Sequence, residues 1–201
     1  MGRHGPGRWL GITVAIVAAL WGGNASAPAA EVPGRTTYLA MFLEPSDVPP
    51  GMRRIQDSRD KGPRAGDLAY AKHGGEQAGL AIWMGAPGTA VWRLADIRWL
   101  FATDTGAAAY HRATLGVNSE GYPEVPSAPK VGSECRVFGG TRFEPALSRN
   151  LTQYFYIFRV GRAVVKLHVA QGPAVEGVML TPGLVKPIAD KAAARIRGRL
   201  K

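Results

Sequence analysis

The last third of the chain shows the alternation of apolar and polar positions that is typical of a β-hairpin. Residues 154–160 (YFYIFRV) and 163–170 (AVVKLHVA) are rich in β-branched and aromatic side chains, and Gly161-Arg162 separates them. Gly161 readily adopts the positive φ that a two-residue turn requires. Lys166 and His168 fall on the side of the second strand opposite its alternating apolar residues, so we expect that side to be wet or functional.

A helical pattern closes the chain. Apolar residues recur at four-residue steps at Leu184, Ile188, Ala192, Ile196 and Leu200. This spacing predicts an amphipathic helix whose apolar stripe lies across a sheet. Lys and Arg are concentrated in its last turns, where the helix dipole favours positive charge. That basic cluster is interpreted either as a solvated helix face or as a site for an anionic partner.

The middle of the chain predicts further strands. Residues 67–72 and 79–84 are short runs compatible with β-structure. Residues 89–101 follow a turn signal of Gly and Pro and are rich in β-branched and aromatic residues, which favours a strand. A helix that places Trp92 and Trp99 on one face is the alternative for the same residues.

A helix and another strand follow. Residues 106–115 (GAAAYHRATL) fit a helix that Thr103 or Asp104 caps. Residues 131–138 predict a strand that ends at Gly139-Gly140. Residues 116–130 between them are rich in Pro, Gly and Ser, and they form either a binding lid or a plain connection.

The region before these elements is less regular. Residues 38–43 (YLAMFL) form a short apolar element, Pro49-Pro50-Gly51 stops it, and residues 53–66 are polar and predict an exposed loop. The element order predicts an α+β fold, a single antiparallel sheet with a mid-chain helix and a C-terminal helix packed on one side.

The first 29 residues have the three parts of a cleaved signal peptide. Arg3 and Arg8 precede an apolar stretch at 10–20, and small residues follow, with cleavage expected after Ala27 or Ala29. A membrane anchor would need about 20 apolar residues, so we expect no transmembrane helix after cleavage. We therefore predict export to the periplasm or beyond, a lead, short apolar element and loop at 30–66, and one α+β domain at 67–201.

The charge balance is basic. The chain has 25 Lys and Arg against 15 Asp and Glu, a net charge of +10, and loss of Arg3 and Arg8 with the signal leaves +8. A basic exported protein attracts anionic surfaces such as phospholipid headgroups or acidic polysaccharide. The basic residues are scattered, so no specific nucleic-acid partner is predicted.

Candidate catalytic chemistry is sparse. Cys135 is the one cysteine; we interpret it as a small buried strand residue, with an intermolecular disulfide or a reactive thiol as the alternatives. His73, His111 and His168 lack a second ligand at a metal-binding spacing. We predict no catalytic residue, no metal and no cofactor.

Three tryptophans, Trp83, Trp92 and Trp99, lie within seventeen residues. They predict either core packing of a sheet against helices or aromatic surfaces in a cleft. An odd separation places Trp92 and Trp99 on opposite faces of one strand, so they cannot form one platform. The candidate binding residues are Trp83, Trp99, His111, Cys135, Lys166 and His168.

Several short motifs together resemble small exported bacterial proteins. They are Asp47-Val-Pro-Pro-Gly51, Val131-Gly132 at a strand start, the FRVGR hairpin at 158–162 and the alanine-rich helix ending in ARIRGRL. This layout is similar to extracytoplasmic sensor-like domains and PsbP-like lipoproteins of high-GC bacteria. The resemblance implies an α+β fold with ligand or partner binding, and no catalytic residues. The chain departs from it in having neither a lipid-attachment cysteine nor paired disulfide cysteines.

The sequence thus predicts an exported, non-enzymatic α+β domain that binds a small ligand, an envelope component or a protein partner. One alternative is a structural or accessory envelope protein held electrostatically to anionic surfaces. The other is a hydrolase or a thiol-dependent enzyme that uses Cys135 with a histidine.

Overall fold

A computed structural model describes residues 31–59, 68–86, 89–172 and 179–200 of the chain. The signal peptide predicted at 1–29 lies outside the described residues. Within them, no helix has the length and apolar character that crossing a membrane requires.

The fold is a single six-stranded antiparallel sheet with helices, which confirms the predicted α+β class. The sheet order is β1-β2-β3-β6-β5-β4, so β3 and β6 are adjacent although they are far apart in the chain. The elements are α1 (Arg35–Leu39), β1 (Arg53–Asp57), α2 (Leu68–Lys72), β2 (Gly75–Met84), β3 (Arg93–Phe101), α3 (Asp104–Asn118), β4 (Ser133–Glu144), a 3-10 turn (Pro145–Leu147), β5 (Arg149–Val160), β6 (Ala163–Ala170) and α4 (Pro182–Arg197).

The predicted hairpin is confirmed. β5 and β6 pair through Val160 and Ala163 around Gly161, which has a φ of 54°. The strand at 89–101 is also confirmed, as β3. The strand predicted to end at Gly139-Gly140 instead continues through β4 to Glu144. Gly139 allows β4 to lie close to β5, because a Cβ added at this position would lie 2.3 Å from the Gln153 carbonyl oxygen.

The helices lie on both faces of the sheet, which corrects their predicted placement on one side. Val165 of β6 packs in one cluster with Ala192 of α4, whereas its neighbour Val164 packs with Tyr110 of α3. Successive residues of a strand point to opposite faces. Because all eight residues of β6 are buried, this central strand needs a cover on each side.

Most of the predicted apolar stripe of α4 is confirmed. Ile188, Ala192 and Ile196 are buried against the sheet, but Leu184 is 47% exposed and Val185 is buried instead. The reason is geometric: at 3.6 residues per turn, each four-residue step rotates the stripe by about 40°. The two ends of such a stripe cannot face the same surface.

Two predictions for the N-terminal half are wrong. Residues 68–72, predicted as a strand, form α2, because Tyr70 packs against Phe101 and Tyr110 and this tertiary contact overrides local preference. Residues 53–57, predicted as loop, form the edge strand β1. A strand at a sheet edge leaves most of its side chains in solvent, so its sequence stays polar.

A buried ion pair attaches the segment after α1 to the sheet. The Asp96 carboxylate accepts hydrogen bonds from Arg98 Nε at 2.7 Å and from the backbone N–H of Leu43 at 2.9 Å. The Tyr38 hydroxyl donates to the Arg98 carbonyl oxygen, and the guanidinium lies 5.0 Å from the centre of the Phe42 ring. Residues 38–43 therefore belong to the core on the same face as α4.

Candidate functional site

Lys166 and His168 are buried, so of the two alternatives expected for their side of β6, wet or functional, the first is wrong. They are 6% and 7% exposed. They lie on the α3 face, which we define as the face of the sheet that packs against α3. The loop after α3 contributes to this cover through Tyr122, whose ring lies 5.3 Å from that of Phe155. These two polar side chains are thus part of a covered network.

His168 is held neutral within a hydrogen-bonded chain. Gln153 donates from Nε2 to the Tyr122 hydroxyl at 2.9 Å, so its Oε1 is left to accept from His168 Nε2. The imidazole stacks on Phe155 at 4.4 Å. Burial, with smaller contributions from the positive charges of Arg93 and Lys166, lowers the pKa of His168 to about 4. The ring therefore acts as an uncharged hydrogen-bonding group.

Lys166 forms the charged part of the network. Its Nζ donates to Glu120 Oε1 at 2.7 Å and lies 5.1 Å from the centre of the Phe155 ring. The Glu120 side chain is 48% exposed. Glu120 and Gly121 both have positive φ, 52° and 72°. They follow the end of α3, where a left-handed residue is common, and backbone hydrogen bonds of Glu120 and Tyr122 within this turn place the Glu120 side chain over Lys166.

An apolar surface adjoins this network on β2 and β3. We name it the β2–β3 patch and define it by Leu80, Ile82, Met84, Ala95 and Ile97. Leu80, Met84 and Ile97 are half-buried. Within the described part of the chain, these residues belong to none of the hydrophobic clusters that α3 or α4 completes.

The strand register places the patch directly beside the polar network. Lys166 is paired with Ile97, and His168 is paired with Ala95. On its other side, Lys166 is paired with Ile157, which packs in the cluster that Leu115 of α3 adjoins. Lys166 therefore lies between the part of the α3 face that α3 covers and the β2–β3 patch, in which Ala95 is 3% exposed and Ile97 is half-buried.

The other candidate residues do not join this network. Trp83 and Cys135 lie in the core on the α4 side of the sheet. Trp99 packs 5.6 Å from the ring of Tyr110. His111 lies on α3, with its Nδ1 3.6 Å from the Glu134 carboxylate, and burial lowers its pKa.

The thiol mechanism finds no support in this arrangement. Burial raises the pKa of the Cys135 thiol, which disfavours the reactive thiolate. Cys135 packs in the α4-side core, whereas His111 belongs to α3 and His168 lies on the α3 face. The sheet thus separates the thiol from both histidines. The interpretation of Cys135 as a small buried strand residue is confirmed.

Sequence reasoning missed Glu120, Tyr122, Gln153 and Phe155. Glu120 and Tyr122 lie in the 116–130 loop, for which a lid was one of the two interpretations. Gln153 precedes the predicted strand start at 154, so it was not assigned to the sheet. Its polar amide within β5 is the signal that could have identified it.

A separate cavity of about 540 Å³ lies away from these residues. Glu31, Asp104, Arg162 and Arg199 contribute its charged groups, with Leu200 at its wall. None of the six predicted binding residues lines it. Across the described ranges, no group of three or more His, Cys, Asp or Glu side chains is arranged to hold a metal ion.

The fold is similar to that of an extracellular domain. The crystal structure of the extracellular domain of PknH from Mycobacterium tuberculosis matches with a TM-score of 0.57 and 13% sequence identity, over 83% of this chain and 98% of that one. No protein-family model and no curated protein matches the sequence. Identity this low shows a shared fold alone. The resemblance to extracytoplasmic sensor-like domains is thus supported at the level of the fold.

Proposed function

We propose that this protein is an exported, non-enzymatic domain that binds a small ligand on the α3 face. The observation that carries the proposal is the junction of the β2–β3 patch with the network of Lys166 and His168. Ligand sites are mostly apolar, with a few polar groups that fix the ligand's orientation. The junction offers both components side by side.

The non-enzymatic part of the proposal follows from the state of the reactive groups. His168 is already hydrogen-bonded to Gln153 and stacked on Phe155. Its pKa of about 4 makes it a poor general base near neutral pH. Export is supported by the N-terminal pattern of charge, apolar stretch and small residues, and the extracellular neighbour agrees with it.

Binding to the patch is tested with Nile red, an uncharged dye that fluoresces in apolar surroundings. We expect saturable binding to the wild-type protein and a loss of about tenfold or more in affinity for Ile97→Asp, because a charge at the patch opposes apolar burial. Val117→Asp is the matched control, since Val117 is exposed on α3. Equal affinity of both variants and the wild type would contradict the proposal.

A further inference from the structure

Resting on the proposed function, we propose that the ligand is a small amphipathic carboxylate. Its apolar body lies on the β2–β3 patch, and its carboxylate replaces that of Glu120 at Lys166 Nζ. Glu120 thus occupies the headgroup position of the site when no ligand is bound.

The position of Lys166 is the first support. An ammonium group this deeply buried needs a negative partner, since an isolated buried charge is strongly unfavourable. Glu120 supplies that partner from a loop, whereas the sheet neighbours of Lys166 are Ile97 and Ile157. The positive charge of the site therefore belongs to the sheet, whereas the carboxylate that neutralises it belongs to the loop after α3.

The second support is that another carboxylate can replace Glu120 at Lys166. Its side chain is 48% exposed, so its carboxylate regains water easily. Removal of Glu120 alone would leave the Lys166 charge buried and unpaired, so Glu120 leaves only when another carboxylate takes its place. An incoming carboxylate would make the same contact with Lys166 and add apolar contact that Glu120 does not make.

The sign of the headgroup follows from the surrounding charges. Arg93 and Lys166 both act electrostatically on His168 as positive groups, and Glu120 is the negative group that opposes them there. Removing Glu120 leaves an excess of positive charge at the border of the patch. A single negative charge restores the balance, whereas a neutral or cationic headgroup does not.

The shape of the patch sets the form of the apolar body. Leu80 and Met84 are four residues apart on β2, which corresponds to about 13 Å along a strand. Ile97 and Ala95 continue the apolar surface on β3 toward Lys166 and His168. Because Leu80, Ile97 and Lys166 lie in one cross-strand row, a linear chain can run along the strands from this row toward Met84 with its charged end at Lys166, and decanoate is such a molecule.

The experiment measures displacement of Nile red by decanoate and by decanamide, which has a neutral headgroup on the same chain. We expect decanoate to compete about tenfold better than decanamide, since a hydrogen bond to a charged group contributes about 1.5–3 kcal/mol. Glu120→Gln should bind decanoate about threefold to tenfold more tightly. Lys166→Met should remove the preference for decanoate over decanamide. Glu124→Gln is the matched control, because Glu124 lies in the same loop and pairs with Arg136 instead.

The outcomes separate the two proposals. If Nile red binds and Ile97→Asp prevents it, but decanoate and decanamide compete equally and Glu120→Gln has no effect, the carboxylate inference is overturned and the proposed function stands. If Nile red does not bind to the patch, both are overturned. Circular dichroism establishes whether each variant is folded; should Lys166→Met unfold, Glu120→Gln still decides the inference.

Discussion

The two faces of the sheet are built differently. On the α4 side, one continuous apolar cluster joins α1, α4 and the strands. On the α3 face, two smaller clusters flank a network of polar side chains, and the β2–β3 patch belongs to neither. Burying polar groups adds little to stability even when they are hydrogen-bonded. The comparison indicates that the α4 side contributes more to the stability of the fold than the α3 face does.

The ion pairs of the two faces differ in the same way. Asp96 and Arg98 are both fully buried, and Leu43 completes the hydrogen bonding of the carboxylate. The Lys166 side chain is 8% exposed and is also buried, but its partner Glu120 is half-exposed. The first pair attaches the segment after α1 to the sheet, whereas the partner in the second pair lies on the loop after α3 and is half-exposed.

The largest expected effect is that of breaking the attachment on the α4 side. Asp96→Ala should lower the free energy of unfolding by about 3–5 kcal/mol, because it leaves the Arg98 charge buried and unpaired. Urea denaturation measures the change. Asp57→Ala is the control: Asp57 pairs with Arg59 near the surface and should contribute less than about 1 kcal/mol. Similar losses of unfolding free energy in the two variants would show that the buried Asp96–Arg98 pair contributes no more than a surface pair.

A somewhat smaller effect is expected from the helix that covers this side. Ile196→Ala should lower the free energy of unfolding by about 2–4 kcal/mol, since Ile196 is fully buried and the substitution leaves a cavity. Leu184→Ala, on the same helix, should change it by less than about 0.5 kcal/mol because Leu184 is exposed. A larger loss at Leu184 would place the opposite side of α4 against the sheet.

The last expected effect, comparable in size with that of Ile196→Ala, concerns pH and the α3 face. The folded protein keeps His168 neutral down to a pKa of about 4, while the unfolded chain takes up the proton near 6.5. Proton uptake therefore favours the unfolded state. The resulting loss in the free energy of unfolding is absent above pH 6.5 and grows as the pH falls toward 4, where it reaches on the order of 3 kcal/mol.

Urea denaturation across this pH range tests the assignment. His168→Gln should reduce the loss of stability between pH 6.5 and 4, leaving the part that His111 contributes through its own lowered pKa. An unchanged slope in His168→Gln would mean that this histidine is protonated equally in the folded and unfolded states.

Much of the fold could be predicted from the sequence because its strongest patterns are local. The hairpin of β5 and β6 has both a strand pattern and a turn glycine, and α4 has a helical stripe. The errors arise where long-range contacts determine the secondary structure. Residues 68–72 become helical through aromatic packing by Tyr70, and β1 depends on pairing with β2 rather than on its own side chains.

The candidate site was predicted in part. Lys166 and His168 interrupt an apolar strand, so the sequence alone identifies them as unusual. Their partners come from a loop and from the neighbouring strand, and no spacing rule connects Glu120 or Gln153 with β6. The same limit applies to Asp96 and Arg98. Their alternation along β3 is typical of a polar strand face in solvent, but in the structure the segment containing Tyr38 and Leu43 covers them.

The adjacency of β3 and β6 has a consequence for how the protein assembles. The sheet consists of two three-stranded meanders, β1-β2-β3 and β4-β5-β6, which meet along this single seam. Pairing within each meander is local, whereas closing the seam carries the loop entropy of the chain between them. The β2–β3 patch belongs to one meander and Lys166 to the other. A ligand that spans the seam therefore binds only the fully joined sheet, and its binding free energy adds directly to the cohesion of the two halves.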